Sequence, residues 1–574
     1  MKKTLFILLL LISRNLISNN FKPFWKQSPE KAQAILKSMT LKGKIGQLFM
    51  LGIYSYDNDP DKEMVEILIT EYHLGGFMFM YGSVKRQIEL VKHYQKISKL
   101  PLIFSQDNEW GRVQRLPKEL IKFPDSMTIG AIEDNSLAYE VGEEFANRCK
   151  SLGVGLNFAP VMDTNSNPLN PIIGPRSFGE NKENVVLKGC ASIKGMQDNR
   201  VIACAKHFPG HGDTEIDSHL DFPTVNKIKE ELDKLELYPF KKAIEAEIQS
   251  IMTAHINFSQ IGPGTPATLS YKFLTGILRN ELGFEGLIIT DIMNMKGITK
   301  LYPSLDKASL RALLAGNDII LFGKARPESA ERFNEIVSSI ECIYNAVQDE
   351  IISEEQIDEH VLRILMAKEW LGLFENREIN TDITAKNINS IQAKELKRRL
   401  YENAVTLVKN DKNTVPLSTL ETYPTALIQI GGQINSTFAR ELKNYCNFSK
   451  FFLNSNSEAK EIQEVLENLN TEEVIIIALF DLNRFSYENW GISHSTLNLL
   501  ENLKAQKKNI LLTIFGNPYS LKNFEDIDAI IMAYEDEREA QTASAKIIGG
   551  KLEPSGKLPV TASKIFREGL GLNT

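Results

Sequence analysis

Between Lys206 and His219 the chain reads K-H-F-P-G-H-G-D-T-E-I-D-S-H, gathering three imidazoles, carboxylates and an ammonium on one short segment. Pro209, Gly210 and Gly212 forbid a helix through its middle, so these polar groups sit on a folded loop and can converge. The apolar run Val201–Ala205 feeds the loop and reads as a buried strand. Four of the eight histidines of the chain lie between His207 and His255. Within the loop, Asp217 and His219 are two residues apart. A carboxylate in contact with the ring would orient it and stabilise its protonated form, giving a group that donates a proton and takes one back near neutral pH. A structural His–Asp hydrogen bond is the plainer reading of the same pair.

His207, His211, Asp213 and His219 also have the donor chemistry of a zinc or iron site. The spacing argues against it. Pro209 and Gly210 interrupt the four-residue His207–His211 step, so it cannot be the helical arrangement of metalloproteases, and Lys206 would repel a cation. No metal and no cofactor is therefore expected. Asp291, in G-L-I-I-T-D-I-M-N-M, directly follows an apolar strand. It is either a helix cap or a reactive carboxylate at a rim, with Met293 and Met295 as an apolar wall. Asp107 can accept two hydroxyl hydrogen bonds, and Arg176 and Lys206 can donate to hydroxyl or acyl oxygens, a set that fits a polyhydroxylated ligand. Arg176 stands in a long Pro/Asn/Gly-rich loop, Thr164–Gly179, of the kind that carries function.

The elements that would position these groups alternate. Strand patterns at Gly46–Ile53, Gly76–Met80, Pro101–Ser105, Leu156–Pro160, Ile202–Ala205, Ser250–Ala254, Gly286–Thr290 and Asp318–Phe322 are separated by amphipathic stretches such as Gln87–Ile97 and Leu137–Leu152. Eight strands with seven crossovers meet the requirement of a (β/α)8 barrel; a doubly wound open sheet is the competing reading. Asp107, Asp163, Lys206 with His207, His255 and Asp291 each fall just past a strand's end, and only a barrel brings all those ends to one rim. Periodicity fades over 375–392, which reads as a linker between a barrel domain at 28–374 and a smaller α/β layered (sandwich) domain at 393–574. Strand-like runs there start at Asn403 and recur at Ala426–Ile430, Val474–Phe480, Ile510–Phe515 and Ala529–Ala533.

The 574 residues are 43% hydrophobic and 24% charged, with a net charge of −7 and no long basic run, which argues against nucleic acid as a partner. No internal apolar stretch is long enough for a membrane span. At the N-terminus, Lys2 and Lys3 precede an apolar Leu5–Ile12 and then a polar run. That order reads as a signal peptide over residues 1–20 and places the protein in the periplasm or outside the cell, with an N-terminal strand or a membrane-grazing helix as alternatives. Five scattered cysteines without C-x-x-C spacing indicate neither a disulfide framework nor a zinc site, and read as buried small apolar residues. Oligomeric state is not legible.

Several motifs, in order, resemble family 3 glycoside hydrolases, and specifically the bacterial β-N-acetylglucosaminidase (NagZ-like) branch in its two-domain form. They are Q-D-N-E-W-G-R-V-Q-R-L (106–116), N-F-A-P-V-M-D (157–163), P-R-S-F-G-E (175–180), the 206–219 segment, T-D-I-M-N-M (290–295) and G-K-L-P-V-T (556–561). The D-S-H ending at 217–219 is the branch-specific part. The resemblance implies Asp291 as nucleophile, His219 with Asp217 as general acid/base, and Asp107, Arg176, Lys206 and His207 as the groups binding a terminal N-acetylglucosamine. It further implies retaining hydrolysis through a covalent glycosyl-enzyme, with muropeptides as the carbohydrate substrate. A neutral imidazole at His219 would repel an anionic acceptor less than a carboxylate would, which leaves phosphorolysis open beside hydrolysis. Related β-glucosidases take their acid from the second domain, and a family 3 β-glucosidase or a non-catalytic cell-wall glycan-binding protein are the rival readings. Trp110 stands where the family usually has glycine.

Overall fold

The computed structural model describes residues 21–57, 62–109, 115–116, 118–215, 222–323, 329–380, 382–383, 385–417, 423–469 and 471–574. Eight parallel strands form the first domain: β1 (Phe49–Ser55), β2 (Gly76–Gly82), β3 (Ile103–Gln106), β4 (Leu156–Asn157), β5 (Ile202–Phe208), β6 (Ser250–Thr253), β7 (Leu287–Thr290) and β8 (Ile320–Phe322). Each pairs with the next, and β1 pairs with β8 through Phe49 opposite Ile320. A parallel bridge between Ile289 and Ile319, with Thr290 N donating to Ile319 O at 3.0 Å, joins β7 to β8 and closes the ring. Closure removes the open-sheet alternative.

Strand composition explains the arrangement. Strands covered on both faces read as continuous apolar runs rather than alternating ones, and β3, β5, β6 and β7 are buried at every position. Side-chain caps start the helices between them: Ser83 Oγ accepts from Arg86 N at 3.2 Å, and Asn181 Oδ1 from Glu183 N at 2.9 Å. Most strand limits shift by a few residues from the sequence pattern, and two of the shifts matter. Gly46 belongs to a helix, Leu41–Gln47, begun by Thr40, whose Oγ1 accepts from Gly43 N at 3.1 Å. More consequentially, β5 runs on through Lys206, His207 and Phe208, so the first two polar groups of the 206–219 segment stand on a strand and not on a loop.

The second domain is a six-stranded sheet: β9 (Thr406–Asn410), β10 (Thr425–Ile430), β11 (Ser449–Leu453), β12 (Val474–Leu479), β13 (Asn509–Ile514) and β14 (Ala529–Met532), in the order β9-β14-β13-β12-β10-β11. All neighbours are parallel except β9, which runs antiparallel to β14. The edge strand β11, S-K-F-F-L, is only partly buried and lacks the apolar run that marks the others.

Residues 375–392 are strapped to the barrel: Arg377 Nη1 donates to Ser98 O at 3.0 Å, and the Asn389 side chain accepts from Ile121 N at 2.8 Å and donates to Glu119 O at 2.7 Å. The two domains also meet directly. Gly179 adopts φ +132°, and a Cβ there would stand 2.3 Å from Pro559 O. Buried Glu535 accepts from Asp125 N at 2.7 Å, Thr128 Oγ1 at 2.8 Å and Lys122 Nζ at 3.1 Å. Glu535→Ala orphans a buried amide and removes one of the two carboxylates facing Lys122, so a loss of about 2–4 kcal/mol is expected in urea unfolding; an unchanged midpoint would show that the clamp carries no stability. Among the described residues no helix is long and apolar enough to cross a membrane. Cys149 and Cys204 are buried, while Cys190, Cys342 and Cys446 are only partly so, and all five are free thiols.

Candidate active site

The C-terminal ends of the barrel strands carry the chemistry. Asp107 and Glu109 follow β3, Asp163 follows β4, Lys206 and His207 end β5, and Asp291 follows β7. Arg176 reaches the same place from a short turn, Gly174–Arg176, in the loop after β4. Lys206 Nζ donates to Asp107 Oδ1 at 2.9 Å and is ion-paired with Glu109. The Arg176 guanidinium grips Glu109 in a two-pronged pair, Nε to Oε2 at 2.9 Å and Nη2 to Oε1 at 2.8 Å. Arg115 Nη2 donates to Asp107 Oδ2 at 2.6 Å while its guanidinium lies 4.7 Å over the Tyr81 ring.

Two carboxylates and three cations thus interlock, and Glu109, at the centre, is 1% exposed. Burial raises the cost of every one of these charges, and only pairing offsets it. Burial pushes the Asp107 and Glu109 carboxyls up, but the positive charges of Lys206 and Arg115 on one, and of Arg176 and Lys206 on the other, hold both below the usual carboxylate range. Lys206 and Arg176 are likewise held above theirs against burial by the same two anions. The result is a fixed array of donors and acceptors that needs no rearrangement to meet a ring of hydroxyls.

His207 extends the array. Its Nδ1 lies 2.7 Å from Asp163 Oδ2 and its Nε2 3.3 Å from Arg176 Nη2. A carboxylate only accepts and a guanidinium only donates, so the geometry fits the tautomer with hydrogen on Nδ1. Asp163 also accepts from His211 N at 2.7 Å. The loop can pack so closely because Gly212 has no side chain: a Cβ there would stand 1.7 Å from Thr164 O. His211, beside Thr214 Oγ1 at 2.7 Å, is fully enclosed, and burial together with the neighbouring His207 holds its imidazole down at about 4. A depressed folded-state value means that the unfolded chain takes up this proton first. The stability from His211 is present above the ordinary pKa of 6.5 and is lost as pH falls through about 4. Its full size is about 3 kcal/mol. Urea unfolding at pH 7 and pH 4.5 checks this: His211→Gln should flatten the difference, and an equally steep dependence in the variant would refute it.

Asp291 is half-exposed, unlike the buried array, and its N donates to Thr253 O at 3.2 Å. His255 fixes the turn: Nε2 donates to Ile292 O at 3.0 Å while Nδ1 lies 2.9 Å from Thr268 Oγ1. His255 therefore positions the Asp291 turn. The helix after it, Lys296–Thr299, has Met295 at its cap position and no side-chain cap, so Asp291 does not cap it. Met293 is wholly buried among the core side chains rather than lining an open wall. The array and Asp291 meet across β6, where Thr253 stands opposite Phe208 of β5 on one side and Thr290 of β7 on the other.

The structure thus brings together Asp107, Arg176, Lys206 and His207 and sets Asp291 on the same rim. Asp217, His219 and Trp110 lie outside the described residues; Asp213, close before them, is paired with Lys227 at 2.8 Å. The sequence pattern did not single out Glu109 or Arg115, offered His211 only as a candidate metal ligand, and marked Asp163 only as a strand-end charge. The Asp107-x-Glu109 spacing was a usable signal, since two carboxylates beside a strand end need cations to be buried. Among the described residues no three His, Cys, Asp or Glu side chains converge as a metal ion would require.

A closed (β/α)8 barrel with a rigid polar array and an accessible carboxylate at its C-terminal rim is an architecture on which glycoside hydrolysis can be built. Residues 40–367 match the glycosyl hydrolase family 3 N-terminal domain and residues 405–568 its C-terminal domain. The chain belongs to glycosyl hydrolase family 3. It is similar to "Beta-hexosaminidase A" of Pseudoalteromonas piscicida, 28% identical over 93% of this chain and 98% of that protein. A "Beta-N-acetylglucosaminidase/beta-glucosidase" of Cellulomonas fimi is 29% identical over 67% of each. Among solved structures, a family 3 β-N-acetylglucosaminidase from Paenibacillus sp. str. FPU-7 superposes with a TM-score of 0.75 at 30% identity, covering 92% of this chain and 99% of its own.

Proposed function

We propose that this glycoside hydrolase is a retaining, exo-acting β-N-acetylglucosaminidase that removes terminal β-linked N-acetylglucosamine, with peptidoglycan fragments as its substrates. The observation that supports this most is the buried Asp107–Lys206–Glu109–Arg176 array on the rim that also carries Asp291. Asp107 accepts from ring hydroxyls, Lys206 and Arg176 donate to hydroxyl and acyl oxygens, and His207 Nε2, which carries no hydrogen in this tautomer, accepts only. Asp291 attacks the anomeric carbon while His219, oriented by Asp217, protonates the leaving oxygen. A covalent glycosyl-enzyme forms, and water deprotonated by His219 releases the sugar with retained configuration. Muropeptides as substrates follow from the motif resemblance, as does the action of His219 and Asp217.

The test is nitrophenol release from the β-N-acetylglucosaminide and the β-glucoside, with EDTA present. Turnover of the first, at least about a hundredfold above the second, is expected. Comparable rates would favour the dual specificity named for the Cellulomonas fimi relative. No turnover of either would overturn the reading in favour of glycan binding alone. We place the enzyme outside the cytoplasm, on the basic–apolar–polar order of residues 1–20; intact mass of the protein from the producing cell should lack about that segment.

A further inference from the structure

A groove between the domains begins one residue from the active-site arginine. Pro175, the neighbour of Arg176, lines it from the barrel side together with Thr128 and Asp125, and Asn483, Arg484 and Asn517 line it from the second domain. The segment that carries Arg484, between β12 and the helix His494–Ala505, is held in an unusual shape. Asn489 and Trp490 adopt φ +48° and +55°, a region a bulky side chain rarely enters, and Gly491 follows at +84°. The turn is closed by Asn483 N donating to Trp490 O at 3.0 Å. It drives the Trp490 ring into a cluster with Met127 of the barrel and Tyr519 and Val560 of the second domain. Tyr519 in turn accepts from Asn165 Nδ2 at 2.8 Å, on the loop that carries Arg176. Backbone held this way against its preference is a mark of a functional segment.

Two donors line the groove from the second domain, Arg484 on this segment and Asn517 on the loop after β13. Arg484 contacts the ring of Phe485, its centre 5.2 Å away, and has no carboxylate partner among the described residues. Asn517, nine-tenths buried, uses Oδ1 to accept from Tyr519 N at 3.0 Å, which leaves its NH2 group as a donor without an acceptor. Asp125 is the carboxylate of the same groove, and it lies in the field of Lys122. A guanidinium with an amide donor beside it matches a carboxylate.

We propose that Arg484 and Asn517 form a recognition site for a carboxylate on the leaving group, so that the second domain makes the enzyme prefer an acidic aglycone. This rests on the glycosidase reading above. The carboxylate can be the lactyl group of N-acetylmuramic acid or one on an attached peptide. Three substrates separate these: N-acetylglucosamine β-1,4-linked to N-acetylmuramic acid, the same disaccharide with its lactyl carboxylate amidated to a stem peptide, and N,N′-diacetylchitobiose, which offers the same leaving hydroxyl and no carboxylate. Wild type should favour an acidic substrate over diacetylchitobiose by about tenfold or more in kcat/KM, chiefly through KM. Arg484→Ala should remove most of that ratio, Arg484→Lys retain part, and Arg484→Glu reverse it. Preference for the free lactyl acid assigns the first source; preference for the peptide-bearing form assigns the second. Equal ratios in wild type, Arg484→Ala and Asn517→Ala overturn this inference alone. Failure of wild type to cleave any of the three, or the aryl glycoside, overturns it together with the glycosidase reading.

Discussion

Asp291→Ala is expected to lower kcat on the aryl N-acetylglucosaminide by about 10³- to 10⁵-fold, with the fold unchanged. The carboxylate directly follows β7 and is half-exposed at the rim, so its removal leaves no large cavity. Its backbone stays held by Thr253 O, and the turn by His255. No other carboxylate described on the rim can take its part, because Asp107 and Glu109 are engaged by cations and Asp163 by His207 and the His211 amide. Added azide discriminates a nucleophile from a structural carboxylate: in the space left by Asp291→Gly it should attack the anomeric carbon and give the α-glycosyl azide, the configuration a missing enzyme nucleophile dictates. A variant that keeps more than about a tenth of wild-type kcat would remove Asp291 from the chemistry.

Glu109→Ala is expected to cost about 3–5 kcal/mol of stability and to raise KM together. Among the described residues Glu109 is the only carboxylate gripped by both Arg176 and Lys206. Without it two buried cations face each other with Asp107 as the nearest anion, and the sugar-facing array loses its geometry. Glu109→Gln keeps shape and acceptor oxygen and should lose less on both counts. The pH dependence has a definite sign. The Glu109 carboxyl is held below its unfolded value of 4.5, so its contribution is present above that pH and is lost on acidification below it. The gap in urea stability between wild type and Glu109→Ala should therefore narrow, but not close, between pH 7 and pH 3.5, because in the folded protein the carboxyl keeps its charge to well below pH 3.5. A Glu109→Ala protein as stable as wild type at pH 7 would show that Lys206 and Arg176 find other partners.

The sequence by itself determined a parallel sheet with both faces covered and most of the rim. Eight apolar runs separated by amphipathic stretches require a parallel sheet covered on both faces, and charges placed just beyond those runs identify the rim, because both features are local in the chain. Asp107, Lys206, His207 and Asp291 were legible on that ground. Tertiary structure decided what no local pattern carries. The Ile289–Ile319 bridge closed the ring, a pairing set by global twist and stagger. β5 continued through Lys206 and His207 because neighbouring strands satisfied its backbone, overriding the loop signal of Pro209 and Gly210. The partly exposed edge strand β11 was hidden for lack of an apolar run. Glu109 and His211 entered the site through Arg176 and Asp163, far away in the chain, Arg115 by folding back on Asp107, and Arg484 reached its groove only because the second domain docks on the barrel. Charge pairing and burial are relations between distant segments, so they exist only once the chain has folded.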